Sequence, residues 1–283
     1  MWWGLRRALN HILGDRMEGR ISGQALDKLA DTYVGRPTVG FARDSPDRNS
    51  ASSFGSGTLV RYGSIAGILT CAHVVTAVMK QKVIGLLCNG GSETQNQGIK
   101  IECSALRSVV LRGDCDEEDG PDLGFFMLPA HTMNTMEALS SAIDLGQQRD
   151  RHDQRVTAKT YMEAAAGMIG EWTSEPEVGP IITKVTFTSF LMGGEISPLD
   201  ARGGYDRLLF TPGRIDNLPK SFEGMSGGGI WYLGLNGSEE SGYAVEERRL
   251  MGIAYYQTAD RRIVGHGRDS LYKRLLPMIE AMQ

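Results

Sequence analysis

Between Pro37 and His266 the chain is a succession of short apolar segments, each closed by Gly, Asn, Asp or Ser. Runs of this length and punctuation pair as antiparallel strands, whereas amphipathic helices need longer stretches at three-to-four spacing. Six lie before residue 128: PTVGFA, GTLVRYG, IAGILTCAHVV, KVIGLLC, IKIECSALRSVVL and LGFFML. Residues 129–156 carry charge and helix formers and read as a connector with a helical turn or more. Six further candidates follow: 157–168, IITKVTFTSFLM, RLLFTP, GGIWYLGL, RLMGIAYYQ and RRIVGHG. The first of these, containing TAKTYMEAAAG, suits a helix as well as a strand. Two groups of six short strands with few helices between them predict an all-β chain of two six-stranded antiparallel β-barrels. Helical spacing flanks them, in ALNHILGDRM and ISGQALDKLADTYV before and in SLYKRLLPMIEAM after, where Pro277 kinks or shortens the helix. The expected division is a helical N-terminal extension over 1–32, a first β-barrel over 33–130 and a connector over 131–156. A second β-barrel over 157–267 and a C-terminal helix over 268–283 complete it.

A chain of 283 residues is long enough to bury a full core. Its formal charge of −4 and pI near 5.8 argue against nucleic acid or an anionic membrane as partner. No apolar stretch reaches the length of a membrane span, and Arg6, Arg7 and Asn10 interrupt the opening MWWGLRRALN where a secretory leader needs an unbroken core. The four cysteines, Cys71, Cys88, Cys103 and Cys115, form no close-set pairs. Free thiols in a reducing, cytoplasmic setting are expected, with no zinc site.

The chemistry concentrates in FEGMSGGGIW, residues 222–231, where four glycines surround Ser226. A serine hydroxyl needs an adjacent base to act as a nucleophile at neutral pH. Of five histidines, His11, His131 and His152 lie in helical or charged stretches and read as solvated, and His266 sits in the last strand candidate. His73 closes the apolar run GILTCAHVV, and Asp122 opens the run PDLGFFMLPA. Each has a bland reading by itself: a glycine turn, a half-buried histidine, a carboxylate at a strand entrance. In the order His73, Asp122, Ser226 they compose a base, an orienting acid and a nucleophile.

Three stretches carry a resemblance. GSGTLVRYGSIAGILTCAHVV resembles the first-barrel histidine motif of trypsin-like, chymotrypsin-fold serine peptidases, most closely the bacterial HtrA branch. PDLGFFML is similar to the aspartate strand of that superfamily, GMSGGGIW to its G-x-S-G-G serine motif, and LMGIAYYQ to the strand that follows. The resemblance implies a serine endopeptidase with His73, Asp122 and Ser226 as catalytic triad and the N–H groups of Gly224 and Ser226 as oxyanion hole. It implies no cofactor and no metal, a protein or peptide substrate, and a specificity pocket near Lys220, Tyr255, Tyr256 and Gln257. A buried Lys220 would favour an acidic substrate side chain. The HtrA-type PDZ domain is not expected. The alternative is a gated or non-catalytic peptide-binding module of the same fold in a bacterial sensing or defence system, docking a protein partner through the N-terminal helices; an esterase is a third.

Four other patterns are read as decoys. Gly224–Gly228 also fits the G-x-S-x-G elbow of α/β-hydrolases, with Asp260 and His266 downstream, but that elbow needs a helix after the serine. Arg20–Ile21 looks like an activation cleavage site, yet Met225 precedes the serine where an acid would receive the new amino group. DCDEEDG, residues 114–120, misses the EF-hand spacing and reads as a solvated acidic loop. Cys71 does not sit where the disulfide of the secreted peptidases would place a cysteine.

Overall fold

The computed structural model describes residues 28–44, 51–88, 97–113, 120–152, 154–170, 177–178, 183–184, 189–213, 218–238 and 240–283. Residues 1–27 of the helical extension, the acidic loop at 114–119, Cys115 and Arg20–Ile21 lie outside them. The described chain is mainly β and forms two large sheets. No described helix is long and apolar enough to cross a membrane.

The first sheet contains β1 (Thr38–Asp44), β2 (Ala51–Tyr62), β3 (Ile65–Thr70), β4 (Val83–Cys88), β5 (Gln97–Glu102), β6 (Arg107–Arg112) and β7 (Asp122–Met127). They lie in the order β5-β4-β1-β2-β3-β7-β6, and a short β8 (Ile143–Asp144) adds to β2 in parallel. The sequence reading expected six strands here in a closed barrel. IKIECSALRSVVL, read as one strand, is broken by a 3-10 turn at Cys103–Ala105 into β5 and β6. These consecutive strands end up at opposite edges of the order, which among the described residues does not close.

The second sheet closes on itself. It comprises β9 (Thr160–Met168), β12 (Ser189–Arg202), β13 (Tyr205–Pro212), β14 (Gly229–Ser238), β15 (Gly242–Gln257) and β16 (Ile263–His266), with β9 pairing both β14 and β12. A two-stranded ribbon, β10 (Glu177–Val178) with β11 (Thr183–Lys184), stands apart. TAKTYMEAAAG becomes a strand from Thr160 onward, because Met162, Ala164, Ala165 and Ala166 are buried on a barrel wall rather than along one helical stripe.

The connector carries two helices, α2 (Ala130–Leu139) and α3 (Leu145–His152), more helix than its sequence suggested. An earlier helix, α1 (Ala72–Met79), was not foreseen at all: CAHVVTAVM reads as the end of a β-branched strand. It forms because Ala72, Val75 and Val78, at three-residue spacing, fall on one buried face together with Val74. At the C-terminus a π-helical stretch, Ser270–Leu275, runs into α4 (Leu276–Glu280), whose first turn accommodates Pro277 without losing a needed N–H.

Polar ties join the two sheets where β2 meets β9. Fully buried Ser56 donates its hydroxyl to the Gly224 carbonyl (2.6 Å), accepts the Met168 N–H (2.7 Å), and donates its own N–H to the Ser226 carbonyl (2.7 Å). Ser56→Ala strands the Met168 amide without a partner, which costs about 1–3 kcal/mol. Urea unfolding should show that loss as a lower midpoint; an unchanged midpoint would mean the tie is dispensable.

Candidate active site

The strand β3 is buried along its whole length and delivers Thr70 to the seam between the sheets. Cys71 is extended (φ −87°, ψ 152°) and starts α1, so His73 lies in the first turn of a helix, not at the end of a strand as its sequence suggested. The amides of a first helical turn have no partner within the helix. The His73 amide finds one in Asp122, whose Oδ1 accepts it at 2.9 Å, while Oδ2 accepts the ring Nδ1–H at 2.5 Å. Asp122, the first residue of β7, therefore holds both the backbone and the ring of His73. With Nδ1 carrying the proton, Nε2 is left as an acceptor. The imidazole is 30% exposed and the carboxylate 7%, so the ring faces solvent over a buried carboxylate. Burial pushes the Asp122 carboxyl up, but the bonds and charge of His73 outweigh it and hold the carboxyl below its ordinary range.

Two consecutive tight turns, closed by Met225 N–H to the Phe222 carbonyl (2.9 Å) and Gly228 N–H to the Met225 carbonyl (2.8 Å), shape the loop, and Ser226 stands in the second. Gly224 (φ +92°) and Gly227 (φ +91°) take backbone conformations that L side chains rarely adopt. A Cβ on Gly227 would lie 2.0 Å from the Ser56 carbonyl oxygen and 2.1 Å from Thr70 Oγ1. One on Gly228 would lie 2.1 Å from the Ala166 oxygen. The glycine cluster thus lets the serine loop press against β2, β3 and β9. Met225 is buried. Among the described residues, the N–H groups of Gly224 and Ser226 donate to no protein acceptor, while those of Met225, Gly227 and Gly228 do.

Serine and histidine meet through shared partners. The Ala254 carbonyl accepts the Gly227 amide (2.8 Å) and the Cys71 thiol (3.1 Å), tying the residue after Ser226 to the residue two before His73. Thr70 Oγ1 donates to the Ser56 carbonyl (2.6 Å), and the Ser56 amide is bonded to the Ser226 carbonyl. Among the described residues the Ser226 hydroxyl makes no hydrogen bond, so the expected base–nucleophile contact is not formed.

Cys71, His73 and Asp122 bring potential metal-binding atoms within 4.8 Å of one another. Their chemistry does not suit a cation. The Cys71 thiol keeps its proton, since burial pushes it well above its usual range and it donates to Ala254, and the other two are spent on each other.

Residues expected to bound a specificity pocket divide. Lys220 is exposed, so the buried ammonium behind an acidic preference is not found. Gln257 accepts the Phe222 amide (2.6 Å) and braces the serine loop, and Tyr256 is half-buried. Tyr255 is only 4% exposed and stacks on His266 at 4.2 Å, which places it behind Asp122 rather than toward a substrate.

Of the remaining histidines, His131 is exposed as expected, His11 lies outside the described residues, and His152 is buried, its Nε2 2.8 Å from the Leu250 carbonyl. His266 is the residue that sequence reasoning weighed only as a decoy. It is fully buried and accepts the Asp122 amide on Nε2 at 2.9 Å. Its position in a glycine-flanked strand end, VGHG, gave no sign of this. The α/β-hydrolase elbow is excluded, because Ser226 is followed by the strand β14 and not a helix.

Burial pushes the His266 imidazole down to about 4, against the pull of Asp122 and Asp206. Its folded-state pKa lies below the unfolded value of 6.5, so the unfolded chain takes up the proton first as pH falls. The stability carried by the neutral ring is complete above pH 6.5 and drains away toward pH 4, about 3 kcal/mol over that window. Urea midpoints between pH 7 and 4.5 should therefore decline more steeply in the wild type than in His266→Gln; parallel declines would contradict this assignment.

No protein-family model matches the chain, and no curated protein matches it either. Among solved structures it is similar to one from work on the coupled folding and binding of the intrinsically disordered VPg protein of Sesbania mosaic virus. That likeness has 13% identity over 86% of this chain and 93% of the other, with a TM-score of 0.43. It is also similar to Rv3671c of M. tuberculosis H37Rv, solved as a serine-to-alanine mutant in an inactive form, with 14% identity over 88% and 89% of the two chains and a TM-score of 0.40. At these scores neither likeness carries weight beside the geometry of the site.

Proposed function

We propose that the chain is a serine hydrolase, and specifically a serine endopeptidase of the trypsin-like double-barrel class. The observation that carries this reading is the doubly bonded His73–Asp122 pair, whose helix turn shares the Ala254 carbonyl with the glycine-wrapped serine loop. The roles follow the general Ser-His-Asp template. Ser226 Oγ attacks the substrate carbonyl carbon as His73 Nε2 accepts the hydroxyl proton. Asp122 holds the ring in the required tautomer and stabilises the imidazolium. The oxyanion points to the N–H groups of Gly224 and Ser226, which have no partner among the described residues. Collapse of the tetrahedral species breaks the C–N bond, and the leaving amine takes the proton from His73. Water, deprotonated by the same ring, then attacks the acyl carbon, and the C–Oγ bond breaks as the imidazolium returns the proton to Ser226.

The missing Ser226–His73 hydrogen bond favours a second form of the same reading: a site completed only when a peptide or protein partner docks. Apo sites often tighten in this way when substrate binds.

Fluorophosphonate labelling separates these outcomes. Wild type should label at Ser226, and Ser226→Ala and His73→Ala should not; equal labelling of all three would end the assignment. Gating predicts that wild-type labelling is slow alone and accelerates with a peptide mixture. Asp122→Asn should reduce turnover by about 10⁴-fold, as loss of the correct tautomer does in the template triad.

A further inference from the structure

Asp122 is held from two sides. His73 takes its carboxylate, and His266, on the last strand of the closed barrel, takes its backbone. The second contact plays no part in the chemistry above, yet the molecule is shaped around it. Pro121 has no N–H, so the Asp122 amide is the first donor that β7 offers, and it leaves the sheet to reach Nε2 of His266 at 2.9 Å. That geometry fixes the ring state. Nε2 must present a lone pair, which puts the proton on Nδ1 and leaves the imidazole neutral. A protonated ring would point N–H at N–H.

The ring is clamped in place. Tyr255 stacks on one face at 4.2 Å and 11°, and Tyr205 meets it edge-on at 6.5 Å and 72°. Gly120 (φ +64°) comes so close that a Cβ there would sit 2.5 Å from His266 Cε1. Asp206 and Arg207 on β13 are the charged groups beside it apart from Asp122 itself. Asp206 in turn accepts the amides of Asp269 and Ser270 (3.0 and 2.6 Å), so the same strand anchors the start of the C-terminal helical segment.

We propose that His266 is a positioning residue: by accepting the Asp122 amide across the seam, it sets where the carboxylate stands and hence how the His73 ring is aimed. The barrel that carries the Ser226 loop then also sets the register of the acid, although Asp122 lies on β7 of the other sheet and His73 on the helix that follows β3 of that sheet. This inference rests on the hydrolase reading, with Asp122 as the orienting acid.

Two variants at one position test it. His266→Gln keeps an acceptor oxygen near the place of Nε2, and His266→Leu fills the space without one. The measurements are the fluorophosphonate labelling rate of Ser226 at pH 7, the low-field proton resonance of the His73 Nδ1–H, and cooperative thermal unfolding. The leucine variant should label about 10- to 100-fold more slowly, the range expected when a catalytic group is misplaced by an ångström, while the glutamine variant stays within about 3-fold of wild type. The ring-proton resonance should shift or vanish in the first and persist in the second. Wild-type rate and resonance in a folded leucine variant would overturn the proposal, and so would equal losses in both variants. If His266→Leu does not fold, His266→Asn takes its place, because its shorter amide cannot span to the Asp122 N–H. If the wild type itself fails to label, the hydrolase reading falls, and the resonance comparison alone still decides whether His266 positions the Asp122–His73 pair.

Discussion

A single carbonyl oxygen, that of Ala254, receives the amide of Gly227 from the serine loop and the thiol of Cys71 from the turn that leads into the histidine helix. Ala254 also returns its own N–H to the Gly228 carbonyl at 2.9 Å. Serine loop, histidine turn and barrel wall are therefore pinned at one buried point. Buried backbone groups left unpaired are costly, so neither loop can slide without losing a bond that water cannot replace there. The crowding explains the glycines. Side chains at 227 and 228 would collide with oxygen atoms of Ser56 and Ala166, and the loop would have to lift away from the seam that aligns it.

How much of this was legible in the sequence depended on range. Strand runs such as KVIGLLC and GGIWYLGL announced themselves, because burial on a sheet face imprints directly on composition. The three residues of the candidate triad stood out from their settings, and the positive φ of Gly224 and Gly227 accords with a cluster too dense for an ordinary turn. Helix α1 was hidden because Val74 and Val75 raise the β reading, while the factor that stabilises a helix start there is the carboxylate of Asp122, forty-nine residues away. The break at Cys103–Ala105 was hidden because no Gly or Pro marks it. Ser56 and His266 were illegible for a related reason. Each earns its place through a partner in the other sheet, and nothing in the neighbouring sequence encodes that partner.

Electrostatically the site separates two imidazoles by environment. His73 lies open to solvent on one side and against a buried carboxylate on the other. His266 lies within the protein against the backbone of the same aspartate, where its lone pair is needed and a positive ring is not. One residue thus has a histidine at its carboxylate and another at its amide.

Asp122 closes the first turn of α1 as well as holding the imidazole, so its carboxylate serves architecture and chemistry together. On the proposed hydrolase reading, a descendant that lost activity could discard the hydroxyl of Ser226 freely, yet the Asp122 carboxylate would still hold the first turn of α1. Among diverging copies, then, retention of the aspartate says little about surviving activity, and the serine is the informative position.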